Sequence, residues 1–277
     1  MFRLGYNTNG LAHHRLEEAL ELIADLGYEA CALTLDTCHL DPFQVDAQAI
    51  RSARSTADRL GIQLAIETGA RFLLDPREKH KPTLLEASRE DRDRRVDFLM
   101  RAIRMASDLG ADIVSLWAGA TNESDTEVVW GRLCEGLERV LNCANENGVR
   151  IAFEPEPGMF IERPGGFREL KERLGAAGDA LGLCLDVGHC LCTDDLPVER
   201  VIHEYANDLI HVHLDDIADG LHEHRMFGEG DLDLTATLAG LDAIGYTGMA
   251  AVELSRDSHR GAAAAREAMA HLRSARA

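Results

Sequence analysis

No run in this chain approaches the ~18 consecutive apolar residues that a membrane span needs. The opening residues, MFRLGYNTNG, hold no apolar core followed by a small-residue cleavage site. Neither an anchor nor an export signal is read from them, and a cytoplasmic location is the expectation. Paired cysteines are missing too. The seven cysteines, at 31, 38, 134, 143, 184, 190 and 192, include no C-x-x-C, and an intracellular chain of 277 residues does not need disulfides. No Pro-, Gly- or Ser-rich linker interrupts the chain, so residues 1–277 are read as one domain. Positive charge is scarce: 29 Lys and Arg stand against 48 Asp and Glu, a formal charge of −19. Such a field repels nucleic acid and anionic membranes, whose binding relies on Lys and Arg.

What is present is a repeating unit. A helix-like segment, a Gly and a short apolar strand recur in ELIADLGYEACALTLD through Gly27, TADRLGIQLAIE through Gly61 and RMASDLGADIVSLW through Gly110. They recur again in NCANENGVRIAFE through Gly148 and LDAIGYTGMAAVE through Gly245. Each Gly falls where a helix would end in a left-handed residue. Apolar residues keep helical spacing at Leu16, Leu20, Ile23 and Leu26, and at Val96, Leu99, Ile103 and Leu109, the second set after a capping box expected at Ser88 and Asp91. Together with runs that lack the Gly, the pattern predicts eight strands, at about 2–7, 30–35, 62–67, 112–117, 149–154, 181–186, 208–214 and 249–254. Their near-continuous apolar character suits strands buried on both faces. Eight strand–helix units predict an α/β fold, a single (β/α)8 TIM barrel. A doubly wound open sheet would use fewer strands and a Gly-rich phosphate loop, and the Gly-dense GEGDLD at 228–233 does not directly follow a strand.

In such barrels sites form at the carboxyl ends of the strands. Those ends read Glu67, Trp117, Glu154, Asp186, His213 and Glu253. One carboxylate there is ordinarily a helix cap or a solvated loop residue. Three carboxylates and an imidazole on four successive runs are read instead as a set. Glu154, Asp186, His213 and Glu253 would hold one divalent cation, and mixed O and N ligands suit Mn2+, Co2+, Mg2+ or Zn2+. A cation also removes the repulsion that drives clustered carboxylates to take up protons. Glu154 and Glu253, on opposite sides of a substrate, would be the catalytic acid and base.

The stretch LCLDVGHCLC, residues 183–192, raises a Cys-based zinc site, but no distant Cys pair completes four ligands. Cys190 and Cys192 are expected to pack beneath a loop that carries His189. His222 and His224, in GLHEHRMFGEG, join His189 either as a second metal site, for Zn2+ or Mn2+, or as a clamp on substrate hydroxyls; solvent exposure is the plainer alternative for an H-x-H loop. His211, two before His213, faces the same way and is read as a hydrogen-bonded core histidine. Glu156, stiffened by the prolines of FEPEPG, is a substrate contact or a solvated loop acid. Trp117 packs on a sugar face or in the core. Glu67, Arg225 and Arg71 complete the substrate candidates. Arg71 opens a locally basic loop with Arg77, Lys79, His80 and Lys81 that would attract a phosphate or carboxylate, unless it is a solvated charge run.

Glu154 in FEP, Asp186 in LDVGH, His213 in HVHLDD and Glu253 in VEL, with the D-x-G-H, H-x-H-L-x-D and G-E-G-D elements in order, resemble the xylose-isomerase-like barrel superfamily, the sugar phosphate isomerases and epimerases, over essentially the whole chain. The resemblance implies one Mn2+ or Co2+ on that quartet, with Glu154 and Glu253 exchanging a C3 proton through an enediolate. It also implies that His189 orients substrate oxygens and that Arg225 holds hydroxyls. Apurinic endonucleases of the superfamily bind a third zinc through a His and a D-x-H at positions matching His189, His222 and His224, with His222 here in place of the Asp. Their first zinc needs histidines that ETGAR and SLWAG do not offer, and with a charge of −19 this argues against DNA repair. The implied function is a divalent-metal-dependent isomerase or epimerase of a sugar, sugar phosphate or related polyol. The alternatives are a lyase or dehydratase on a keto-inositol or 3-keto-glycoside, a non-catalytic sugar-binding barrel, and a two-metal hydrolase. A small carbohydrate is the expected partner, with no nucleic acid and no membrane, and the chain is a candidate homo-oligomer.

Overall fold

Eight parallel strands close in chain order, β8 pairing back onto β1, in the computed structural model, which describes residues 1–276. They are β1 (Arg3–Asn7), β2 (Ala30–Thr34), β3 (Gln63–Glu67), β4 (Ile113–Leu116), β5 (Arg150–Phe153), β6 (Leu181–Asp186), β7 (Leu209–Leu214) and β8 (Met249–Val252). The expected bounds hold to within two residues. Around them run α1 (Leu16–Leu26), α2 (Ala47–Leu60), α3 (Arg89–Leu109), α4 (Thr126–Asn147), α5 (Pro164–Leu174), α6 (Val187–Thr193), α7 (Val198–Glu204), α8 (Leu234–Ala243) and α9 (Gly261–Ala275). Among the described residues no helix is long and apolar enough to cross a membrane.

The helices dock through the stripes seen in the sequence. Val96, Leu99 and Ile103 of α3 are fully buried, and each such side chain contributes about 1.5–3 kcal/mol of burial. Gly27, Gly61, Gly110 and Gly148 stop their helices in the left-handed conformation; α8 ends one residue earlier than the pattern, at Ala243, with Ile244 as cap before Gly245. Two local expectations are corrected. Only half of the capping box forms: Ser88 Oγ accepts from the Asp91 amide, while the Asp91 carboxylate turns to Arg94. The segment after Asp186 is the helix α6, not a loop, so Cys190 is buried on that helix and Cys192 is half-buried.

The bore of the barrel explains where polar groups can go. Alternate residues of each strand point inward, and in the lower layers most of these are small, Ala30, Ala32, Ala65, Ala152, Cys184 and Ala251, with Ile113 and Met249 filling the rest. Small side chains leave the upper bore open to large polar ones. The ladder then sets their height. Asp186 pairs with His213 in register, as Cys184 pairs with His211 one layer below.

Candidate metal and substrate site

Asp186 shows how one residue is committed twice. As the last residue of β6 it is fully buried, and its Oδ1 accepts from the His189 amide at 3.0 Å, capping α6. Its Oδ2 is enclosed and meets no hydrogen-bond partner among the described residues. A buried carboxylate oxygen left this way costs free energy unless a cation or donor meets it. Around it gather Glu154, which follows β5, His213 of β7 and Glu253, which follows β8; ligand atoms of the four lie within 4.8 Å of one another. His213 Nδ1 stands 2.9 Å from Glu154 Oε1 and 3.0 Å from Glu253 Oε2. Burial works against a charged imidazole here, yet Glu154, Glu67 and Glu253 hold His213 well above its ordinary value. Burial likewise pushes Glu253 up, and the His213 and His224 imidazoles outweigh it and hold the carboxyl low. Positive charge at this point is strongly favoured, and three carboxylates with one imidazole fit a divalent cation.

The second histidine group also converges. His189, in the first turn of α6, and His222 and His224, from the β7–α8 connection, have ligand nitrogens within 4.8 Å. His189 Nε2 lies 3.0 Å from His222 Nε2, so either one nitrogen donates or both face a common cation. The outer nitrogens are anchored: His189 Nδ1 is 3.1 Å from the Pro155 carbonyl and His224 Nδ1 is 2.7 Å from Asp215 Oδ2.

Both groups open onto one cavity of ≈ 460 Å3 at the carboxyl end of the barrel. Trp117, Glu156 and Arg71 line it, and of the basic loop so do Lys79 and His80. Lys81 is instead held by Glu86 at 2.8 Å. Arg225 is not brought to the cavity. Its backbone bridges to Asp216 in an antiparallel pair, and its guanidinium rests on Glu223 at 3.0 Å. Neighbours in an extended segment point to opposite sides, so His222 and His224 face the cavity while Arg225 faces away. Arg256, paired with the same Glu223, lines the cavity in its place. Glu67 reaches the wall with both oxygens occupied, by Ser115, His211 and His213. His211 is the hydrogen-bonded core residue expected, 3.0 Å from Glu67.

Four contributors escaped the sequence reading. Asn9, in the short 3-10 turn after β1, donates to Glu253 Oε1 at 2.7 Å. Asp215, fully buried, anchors His224; burial and then the neighbouring Asp186 push its carboxyl up to about 7. Asp216 accepts from the amides of Ile217, Gly228, Gly230 and Leu232 at 2.8–2.9 Å. Arg95, buried on α3 with no carboxylate partner among the described residues, lies 4.3 Å from the Trp117 ring and donates to the Thr68 carbonyl at 2.8 Å. Burial pushes its guanidinium down to about 9. Both acids stood in HVHLDD, where Asp-Asp after a strand-end His was the available signal. Asn9 and Arg95 left none.

Comparison with known proteins adds the following. The family model for the xylose isomerase-like TIM barrel matches residues 20–275. The inosose dehydratase of Geobacillus thermodenitrificans is 28% identical over 149 residues, 48% of this chain and 49% of that protein. The inosose dehydratase of Lactiplantibacillus plantarum is 27% identical over 151 residues, 48% and 49% of the two chains. The chain thus spans about half the length of these curated relatives. Among solved structures, an L-ribulose 3-epimerase superposes with a TM-score of 0.79 at 24% identity, covering 100% of this chain and 96% of that one. A 3-keto-D-glucoside 4-epimerase from E. coli gives 0.79 at 17% identity, with 99% and 100% covered. At these identities the likeness to the solved structures is one of fold.

Proposed function

The chain belongs to the xylose isomerase-like TIM-barrel family, and on that premise we propose that it is an enzyme that isomerises or epimerises a sugar, sugar phosphate or related polyol. In this reading a divalent cation sits on Glu154, Asp186, His213 and Glu253, with Glu154 and Glu253 as the acid–base pair. The convergence of those four side chains from the ends of β5 to β8 carries the reading. The names of the relatives, inosose dehydratases and sugar epimerases, support it.

When bound, the cation would polarise the substrate carbonyl and offset the negative charge that develops on its oxygens. The remaining work falls to the chain. Asn9 steadies Glu253 through Oε1, and the same carboxylate would exchange a proton with the carbon beside the carbonyl. Glu154, from a strand three places away in the ring, approaches the same point from another wall and exchanges a proton on the opposite face. Removal on one side and return on the other inverts that carbon. Trp117 offers a flat wall for the sugar, and Glu156 and Arg71 offer polar contacts for its hydroxyl or anionic groups. His189, His222 and His224 clamp substrate oxygens, with a second Zn2+ or Mn2+ as the competing arrangement; metal stoichiometry decides between them.

A second reading is favoured by Glu156, a third carboxylate on the cavity wall, together with the dehydratase relatives. After the same proton abstraction, an acid beside a neighbouring hydroxyl would expel water instead of returning the proton. Incubation of the Mn2+-loaded protein with candidate ketoses and inososes in D2O separates the two. Deuterium at the carbon beside the carbonyl without loss of water marks an epimerase, and loss of water marks a dehydratase. Glu154→Gln and Glu253→Gln should each cut turnover by about 10²–10⁴-fold with unchanged circular dichroism. Turnover by the wild type that survives complete chelation would overturn the metal-dependent reading.

A further inference from the structure

The quartet faces one ring nitrogen of His213, and the other meets a carboxylate from outside the quartet. Both ring nitrogens lie against carboxylates: Nδ1 beside Glu154 and Glu253, and Nε2 3.2 Å from Glu67 Oε1. A carboxylate only accepts, so in the metal-free protein both nitrogens carry hydrogen; a cation on the quartet would displace the one on Nδ1, while the one on Nε2 stays on Glu67. His211 Nε2 is 3.0 Å from the same oxygen, and His211 Nδ1 is buried with no partner among the described residues. The His211 proton therefore belongs on Nε2, and two imidazole N–H groups converge on one carboxylate oxygen. Glu67 is itself held. It is 5% exposed, pairs in register with Thr34 and Ser115 on the flanking strands, and takes the Ser115 hydroxyl on Oε2.

We propose that Glu67 is a positioning residue that holds His213 with Nε2–H on its own Oε1 and so presents Nδ1 to Glu154, Asp186 and Glu253 as the ligand nitrogen. An outer carboxylate acting this way fixes both the tautomer and the ring orientation of a metal-binding histidine. Glu67 is thereby moved from the substrate contacts, where its place at a strand end put it, to the support behind the quartet. The ring orientation stands on the hydrogen bonds alone; its consequence for cation binding rests on the function proposed above.

Three variants test this in the full chain. Glu67→Leu removes the acceptor, Glu67→Gln keeps a neutral one, and His211→Phe removes the competing donor. In metal-free protein, 15N-resolved NMR should show a downfield, slowly exchanging His213 Nε2–H in the wild type and in His211→Phe. That signal should be lost in Glu67→Leu and moved upfield in Glu67→Gln. A wild-type His213 signal in folded Glu67→Leu overturns the proposal; should that variant not fold, an unmoved signal in Glu67→Gln does so. In calorimetric Mn2+ titrations, Glu67→Leu should weaken binding by about 10–100-fold, with Glu67→Gln restoring most of the affinity and His211→Phe nearly unchanged. Equal affinity in all four proteins overturns the proposal. A wild type that binds no divalent metal would sink the metal reading, and the NMR result would still decide the orientation.

Discussion

The two halves of this cavity stand on different supports. Glu154, Asp186, His213 and Glu253 leave adjacent strands whose backbones are paired on both sides, and the register places Asp186 beside His213. His222 and His224 stand on the connection between β7 and α8, where the backbone has one isolated bridge, Asp216 to Arg225. Beside a few scattered backbone bonds, such as Asp231 N–H to the Ile217 carbonyl at 2.9 Å, a single side chain takes the place of a ladder there. The buried Asp216 carboxylate gathers four amides spread over residues 217–232. A ladder distributes the support of a ligand over many weak links, so no single side chain is indispensable to it. A carboxylate hub concentrates support, and removing one residue should release the whole segment.

Asp216→Ala should therefore produce the largest difference between the halves. Four amides lose a charged acceptor and recover only water, an expected cost of about 3 kcal/mol. Denaturant unfolding should register that loss, and hydrogen exchange across residues 217–232 should accelerate. The strand-borne quartet should keep its Mn2+ affinity. A fall in quartet affinity as large as the loss at the histidine group would show that the two supports are not independent.

The same contrast separates what could be read in the sequence from what could not. The quartet was legible because each member ends its own apolar run, and a closed parallel barrel turns four such ends toward one axis. α6 was not, because seven residues beginning V-G carry too short a period to mark a helix, although Asp186 as its cap was in plain view. Glu67 looked like the other strand ends; only the partners below it, His211 and Ser115, show that its oxygens are already taken. The resemblance implies that Arg225 holds substrate hydroxyls. The bridge to Asp216 shows an extended backbone there, and extension sends adjacent side chains to opposite sides. Residues placed by a strand's own period were readable, and residues placed by hydrogen bonds to distant backbone were not.

Gly188→Ala probes the seam where the halves touch. A Cβ at this position would lie 2.3 Å from Asp215 Oδ1 and 2.7 Å from Oδ2, so the carboxylate or the first turn of α6 has to move. Overpacking of this kind costs about 1–3 kcal/mol, partly offset by the better helix propensity of Ala, about 1 kcal/mol. Asp186 caps the same turn, and the Mn2+ affinity of the quartet should fall along with the melting temperature. Lower stability with unchanged affinity would mean that α6 shifts without dragging Asp186, and that the cap does not tie the halves together.

The smallest effect on stability, and the finest division between the halves, is expected from Asp215→Asn. The amide oxygen can still accept from His224 Nδ1, while the charge that burial and Asp186 both disfavour is removed. Loss of charge assistance in one hydrogen bond and relief of one repulsion should nearly cancel, leaving stability within about 1 kcal/mol of wild type. The ring of His224 is then held less firmly. On the proposal that His224 clamps substrate rather than the quartet cation, KM should rise about tenfold, a change of about 1.4 kcal/mol in binding, with kcat and Mn2+ affinity little altered. A drop in kcat with KM unchanged would move His224 from holding the substrate to the chemical step, and would merge the two halves of the cavity into one functional unit.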